Sequence, residues 1–205
     1  MAASAPSAPT ARRNVVVFGA SWPAADSELY ALSVALGAGL AGAGYDVVSG
    51  GYGGTMAGVS QGARAGGGGA IGVLVPSLFP DHVAEGNAFL SSQVDAPTLL
   101  ARIDAMLGLA QHPRLLIALP GGLGTLTEIC AAWNIAAIEA AHGRRPCRLI
   151  AWRRPWEALL GAACEGLQLT AAQRELLVFV DSVEEAVQAV AAAVAAAAAA
   201  PAAAQ

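Results

Sequence analysis

Short apolar runs that each empty through a glycine or proline turn into a helical stretch are what most restrict the fold of this chain. Val15-Val16-Val17-Phe18 stops at Gly19, Tyr45 to Ser49 leads into Gly50-Gly51-Tyr52-Gly53-Gly54, and Ala70 to Val75 closes at Pro76. Arg114 to Leu119 runs into Pro120-Gly121-Gly122-Leu123-Gly124, and Arg148 to Trp152 and Leu176 to Val180 read as further strands. Helices are expected at Ala25 to Ala43, Thr55 to Ala65, Pro97 to Gln111 and Ile129 to Ala141, with a short strand near Gln93. Unbroken apolar strands alternating with helices predict an α/β fold, a doubly wound, mostly parallel, Rossmann-like sheet covered on both faces. Ligands of such sheets lie beyond the carboxyl ends of the strands. Three glycine-bearing turns fall there: Gly19-Ala20-Ser21, Gly50 to Gly54, and Gly121 to Gly124.

A chain of 205 residues suits one domain, expected over residues 14–190. Residues 1–13 are Ala/Ser/Pro-rich and acid-free, a bias shared with transit peptides, but they are short and lack an apolar segment, so a disordered tail is expected. Residues 191–205 form an alanine-rich tail broken by Pro201. The mean hydropathy of +0.54 comes largely from alanine and glycine. No run of about 20 bulky apolar residues is available to span a bilayer, so no membrane partner is expected.

The net charge is −4, and all 11 basic residues are arginine. Without a basic run the chain is a poor nucleic-acid binder. The absence of lysine removes a Walker A site, a Schiff-base enzyme and a kinase-type catalytic lysine together. Cys130, Cys147 and Cys164 are odd in number and far apart, which points to a reducing, cytoplasmic setting rather than a disulfide framework or a zinc site. His82, His112 and His142 are equally dispersed, and no metal is expected.

The chemistry concentrates in the glycine turns. A strand that passes through glycines into a helix start leaves several backbone N–H groups aimed at one spot, which favours phosphate. A dinucleotide site would need G-x-G-x-x-G after the first strand and an acid ending the second. Here the first turn holds only Gly19, and the second strand ends Ser49-Gly50-Gly51, so neither NAD nor another cofactor is expected. A nucleotide or phosphosugar fits better, with Gly19, Ser21, Gly51, Gly53, Gly54, Thr55, Gly121, Gly122, Gly124 and Thr125 as the binding set. Glu128 falls in the first turn of the expected helix, beside that anion. Thr125-Leu126-Thr127-Glu128 also fits a capping box, in which the acid serves only the helix end. Arg102, taken alone, also fits an exposed helix arginine paired with Asp95 or Asp104.

Pro120-Gly121-Gly122-Leu123-Gly124-Thr125-Leu126-Thr127-Glu128 resembles the P-G-G-x-G-T-x-x-E signature of the LOG ("lonely guy") family. These are cytokinin riboside 5′-monophosphate phosphoribohydrolases, many once labelled lysine decarboxylases. Gly50-Gly51-Tyr52-Gly53-Gly54-Thr55-Met56 is similar to the family's other glycine loop, and the likeness runs from Val15 to Val180. The resemblance implies hydrolysis of a nucleoside 5′-monophosphate to free base and ribose 5-phosphate, with Arg102 and Glu128 as the catalytic pair. It also implies a homodimer or larger assembly. Typical members read H-E-R-K where this chain has Leu100-Ala101-Arg102-Ile103, and the loop sequence with Pro97-Thr98-Leu99 resembles a divergent branch. The alternative is a non-catalytic carrier of a nucleotide or molybdenum cofactor on the same fold. Trp133 and Ile138, on the helix after Glu128, are expected in the core rather than at a subunit contact.

Overall fold

The computed structural model describes residues 12–78, 85–111, 113–144 and 147–199. Among the described residues seven strands form one sheet: β1 (Arg13–Phe18), β2 (Tyr45–Ser49), β3 (Ala70–Leu74), β4 (Ser92–Asp95), β5 (Leu115–Ala118), β6 (Arg148–Trp152) and β7 (Leu177–Val180). Every neighbouring pair is parallel, in the order β4-β3-β2-β1-β5-β6-β7. The chain winds outward from β1 to β4, then returns to lay β5 on the other side of β1. That reversal opens a crevice between the loops leaving β1 and β5, where ligands of doubly wound sheets bind.

Central strands of such a sheet are covered on both faces, and their sequences show it. Val15 to Phe18 and Leu115 to Leu119 are at most 2% exposed, and each large apolar side chain so buried contributes about 1.5–3 kcal/mol. Val15 pairs with Leu115 and Phe18 with Ala118, so both strands end at the same level. The Leu119 N–H donates to the Phe18 carbonyl at 2.9 Å, carrying the ladder up to the glycine turn.

Seven helices flank the sheet among the described residues: α1 (Glu28–Gly42), α2 (Thr55–Ala65), α3 (Leu99–Leu109), α4 (Leu123–Ala141), α5 (Arg153–Gly166), α6 (Ala171–Arg174) and α7 (Val183–Ala199). Ser27 caps α1 by accepting from the Tyr30 N–H, and Thr98 caps α3 by accepting from the Ala101 N–H. The start of α2 is locked to the β1 loop, because both the N–H and the hydroxyl of Thr55 donate to the Ala20 carbonyl, at 2.9 and 3.0 Å. Gly54, the residue before that helix, has φ +62°, and a Cβ there would lie 2.4 Å from the Ala20 oxygen. Only glycine fits that junction.

The sequence expectation failed at α4. The helix begins at Leu123, six residues before Ile129, with Gly122 as an extended N-cap residue and the Leu126 N–H closing the first turn on the Gly122 carbonyl. Thr125 therefore sits inside the helix and Glu128 in its second turn. No Thr125–Glu128 capping box exists, because neither residue stands at the helix end. Trp133 is in the core as expected, its indole N–H donating to the Gln173 carbonyl, whereas Ile138 is 49% exposed. Arg12 and Arg13, placed in the tail by sequence, are described: Arg13 opens β1 and Arg12 pairs with Asp46 at 2.9 Å. Residues 1–11 and 200–205 of the expected tails, residues 79–84, and His82 and His112 lie outside the described residues.

Candidate active site

At the crevice between β1 and β5 lies a cleft of about 330 Å³. Of the binding set read from sequence, Gly19, Ser21, Gly122, Gly124 and Thr125 line it, together with both Arg102 and Glu128. The first turn of α4 forms one wall. Gly122 supplies no side-chain cap, so the N–H groups of Leu123, Gly124 and Thr125 have no acceptor within the helix. They offer an anion three donors at the positive end of a 19-residue helix.

The remaining residues of that set hold the loops instead of facing the cleft. Gly121 packs on the Thr125 side chain, Gly53 lies near the Ser21 carbonyl, and Gly54 and Thr55 clamp the β1 loop. Gly51 turns toward the sheet edge, where its carbonyl accepts from the N–H and the side-chain amide of Asn87.

Arg102 is buried, not an exposed partner of Asp95 or Asp104. Its Nε donates to the Val73 carbonyl at 2.7 Å and its Nη2 to the Gly50 carbonyl at 2.9 Å, with Met56 Sδ 3.7 Å from Nη2. The guanidinium stands 5.5 Å from the Tyr52 ring centre, within cation–π range. Two backbone bonds and an aromatic face thus fix the plane of the fork and leave Nη1 turned toward Glu128. Nη1 and Glu128 Oε1 are 3.9 Å apart, and each residue is 7% exposed. That separation is an ion-pair distance but too long for a hydrogen bond, and an oxygen atom about 2.8 Å from each would complete the contact.

Gly50 makes this arrangement possible. A Cβ at position 50 would stand 1.6 Å from Arg102 Nη2 and 2.6 Å from Met56 Sδ. Gly50→Ala is therefore expected to push the guanidinium off its two carbonyls and to lower the melting temperature by several degrees, since each buried acceptor left without a donor costs about 1–3 kcal/mol. A circular-dichroism melt tests this, and a wild-type melting temperature in the alanine variant would contradict the packing argument.

Burial sets the electrostatics. It pushes the Glu128 carboxyl up to about 7, against the opposing pull of the Arg102 charge. It also lowers the Arg102 pKa, with Glu128 and Tyr52 working the other way. A desolvated acid near neutrality beside a fixed cation is the usual preparation of a general base or a charge stabiliser.

The sequence reading gave no role to the cleft's apolar members Trp22, Leu99, Leu123, Tyr52 and Met56, although all but Trp22 fall inside quoted motifs. Among the described residues no His/Cys/Asp/Glu group is arranged to hold a metal, and no helix is long and apolar enough to cross a membrane. Cys130 is exposed, Cys147 and Cys164 are buried, and all three are free thiols.

The reversed strand order, the switch-point cleft and the paired Arg102 and Glu128 beneath a glycine turn define a Rossmann-like α/β protein of the LOG type. The chain belongs to the SLOG cluster4 family, whose model matches residues 12–138. It is 31% identical over 184 residues to a cytokinin riboside 5′-monophosphate phosphoribohydrolase of Mycobacterium marinum, covering 87% of this chain and 93% of the relative. A crystal structure from a structural genomics consortium is similar with a TM-score of 0.64 and 27% identity, over 88% of this chain and 99% of that one. The molybdenum cofactor binding protein of Rippkaea orientalis shares the fold, with a TM-score of 0.66 at 20% identity over 90% of this chain and 98% of its own.

Proposed function

We propose that the protein hydrolyses the N-glycosidic bond of a nucleoside 5′-monophosphate, AMP or a cytokinin riboside 5′-monophosphate, to free base and ribose 5-phosphate. One observation supports this above the others: a buried carboxylate 3.9 Å from a fixed guanidinium, at the floor of a cleft walled by an uncapped helix start. The 5′-phosphate takes the N–H groups at the start of α4 and the Thr125 hydroxyl. Arg102 Nη1 holds a phosphate or ribose oxygen. As the bond from C1′ to the base nitrogen breaks, positive charge spreads over the ribose. Ionised Glu128 offsets that charge and takes the proton of the water that adds to C1′, while the departing base nitrogen gains a proton from solvent. Little water reaches this floor, so the charge–charge term is stronger there than at the surface.

The test is a base-release screen of the purified chain against nucleoside monophosphates, nucleosides and isopentenyladenosine monophosphate. Free base is expected from monophosphates and not from nucleosides. Absence of release from every monophosphate would leave the carrier reading, which the two backbone bonds on Arg102 favour because they leave only Nη1 for a substrate. AMP binding without adenine release would select it.

The proposal includes one domain, a cytoplasmic setting in keeping with three free thiols, and a homodimer, to be measured by sedimentation.

A further inference from the structure

The mouth of the cleft carries an uncovered apolar rim. Trp22, on the loop after β1, is 64% exposed; Leu123, the first residue of α4, is 80% exposed; Leu99, the first residue of α3, is 38% exposed. All three line the same cleft whose floor is Arg102 and Glu128. Large apolar side chains left in water cost free energy unless something covers them. Trp22 is not loose: its six-membered ring lies against Gly122, 3.1 Å from where a Cβ would stand. The indole is thus braced on the glycine turn that bears the anion donors. Charged partners sit at the floor and along the α4 start, and planar apolar surface sits at the mouth. The ligand that matches this order is polar and anionic at one end and flat and apolar at the other.

We propose, resting on the nucleotide reading above, that Trp22 is the residue that selects the base: the base stacks on its indole between Leu99 and Leu123. Among the described residues, none of these rim side chains can donate or accept at the polar edge of a base, apart from the indole N–H of Trp22. Stacking tolerates any large planar ring, so the substrate class is the 5′-mononucleotides of purines, adenine and guanine alike and with apolar substituents tolerated, over pyrimidines.

The experiment is equilibrium binding by calorimetry to full-length Glu128→Gln, which retains ligand without turnover, with and without Trp22→Ala or Trp22→Phe. The ligands are AMP, GMP, UMP and ribose 5-phosphate. The expected result is AMP and GMP within a few-fold of each other, both tighter than UMP. Trp22→Ala should weaken AMP about tenfold or more while leaving ribose 5-phosphate unchanged, and Trp22→Phe should restore most of the loss. A general disturbance of the loop would weaken AMP and ribose 5-phosphate together, and that outcome overturns the assignment. An AMP to GMP ratio above about 100, which demands a hydrogen-bonding reader of the base edge, overturns it too. Failure of both AMP and ribose 5-phosphate to bind removes the nucleotide reading itself, and this inference with it.

Discussion

Glu128→Gln is expected to abolish base release and, at the same time, to make the protein more stable above neutral pH. The loss of activity should be about 100- to 10,000-fold, the range for a positioned acid–base group. The gain in stability follows from burial. The unfolded carboxyl releases its proton near 4.5 and the folded one near 7. Between those values the folded chain holds a proton that the unfolded chain has lost, so stability falls as pH rises through that window. Above it the cost is constant, because both states are ionised. At about 1.4 kcal/mol for each pH unit between the two, the full cost is roughly 3 kcal/mol, and glutamine does not incur it. Melting curves at pH 8 should place the variant several degrees above wild type, with the gap closing toward pH 5. In the wild type, base release should rise with pH through about 7 and then level off, since the reactive form is the carboxylate. An acid that serves only the helix would give the reverse: lower stability in the variant and unchanged turnover.

The sheet was legible in the sequence because its central strands are buried on both faces. Val15 to Phe18 and Leu115 to Leu119 have no polar residue to mislead the reading, and β2 and α2 ended at the residues that the glycines announced. The start of α4 was not legible. Gly122 takes an extended N-cap conformation that sequence cannot distinguish from a longer loop, so Thr125 passed for a cap when it lies three residues into the helix. Of the site, the glycine turns could be read because an anion cradle needs backbone. Arg102 could not be placed from local sequence: its partners Val73, Gly50 and Glu128 are 29, 52 and 26 residues away along the chain. Only the order of strands, which sets β3 beside β2 and β2 and β5 on either side of β1, brings them under one guanidinium. The rim of Trp22, Leu99 and Leu123 escaped for the opposite reason, since exposed apolar side chains are common and carry no periodic signal.

Arg102→Ala is expected to damage both stability and activity, whereas Glu128→Gln costs activity alone. Its guanidinium satisfies the Val73 and Gly50 carbonyls in a buried site, and each acceptor left without a donor costs about 1–3 kcal/mol. Removing the charge also strands Glu128, whose ionised form Arg102 favours. The melting temperature should drop by about 10 °C, taking roughly 3–5 kcal/mol for a broken buried pair and 2–4 °C per kcal/mol for a chain of this size. Residual base release, at least about 100-fold down, should need a higher pH than wild type, because the Glu128 carboxyl then loses its proton later. Arg102→Lys keeps a charge but not a planar fork that can hold two carbonyls and still present a third N–H to the cleft, so it should recover only part of the stability and little activity. The two residues share one contact, and their effects should not add: above neutral pH the gain in stability from Glu128→Gln should be larger in the Arg102→Ala background than in the wild type, because no guanidinium then offsets the buried carboxylate. An equal gain in both backgrounds would mean that the pair, 3.9 Å apart, does not interact, and would take the electrostatic argument for the site with it.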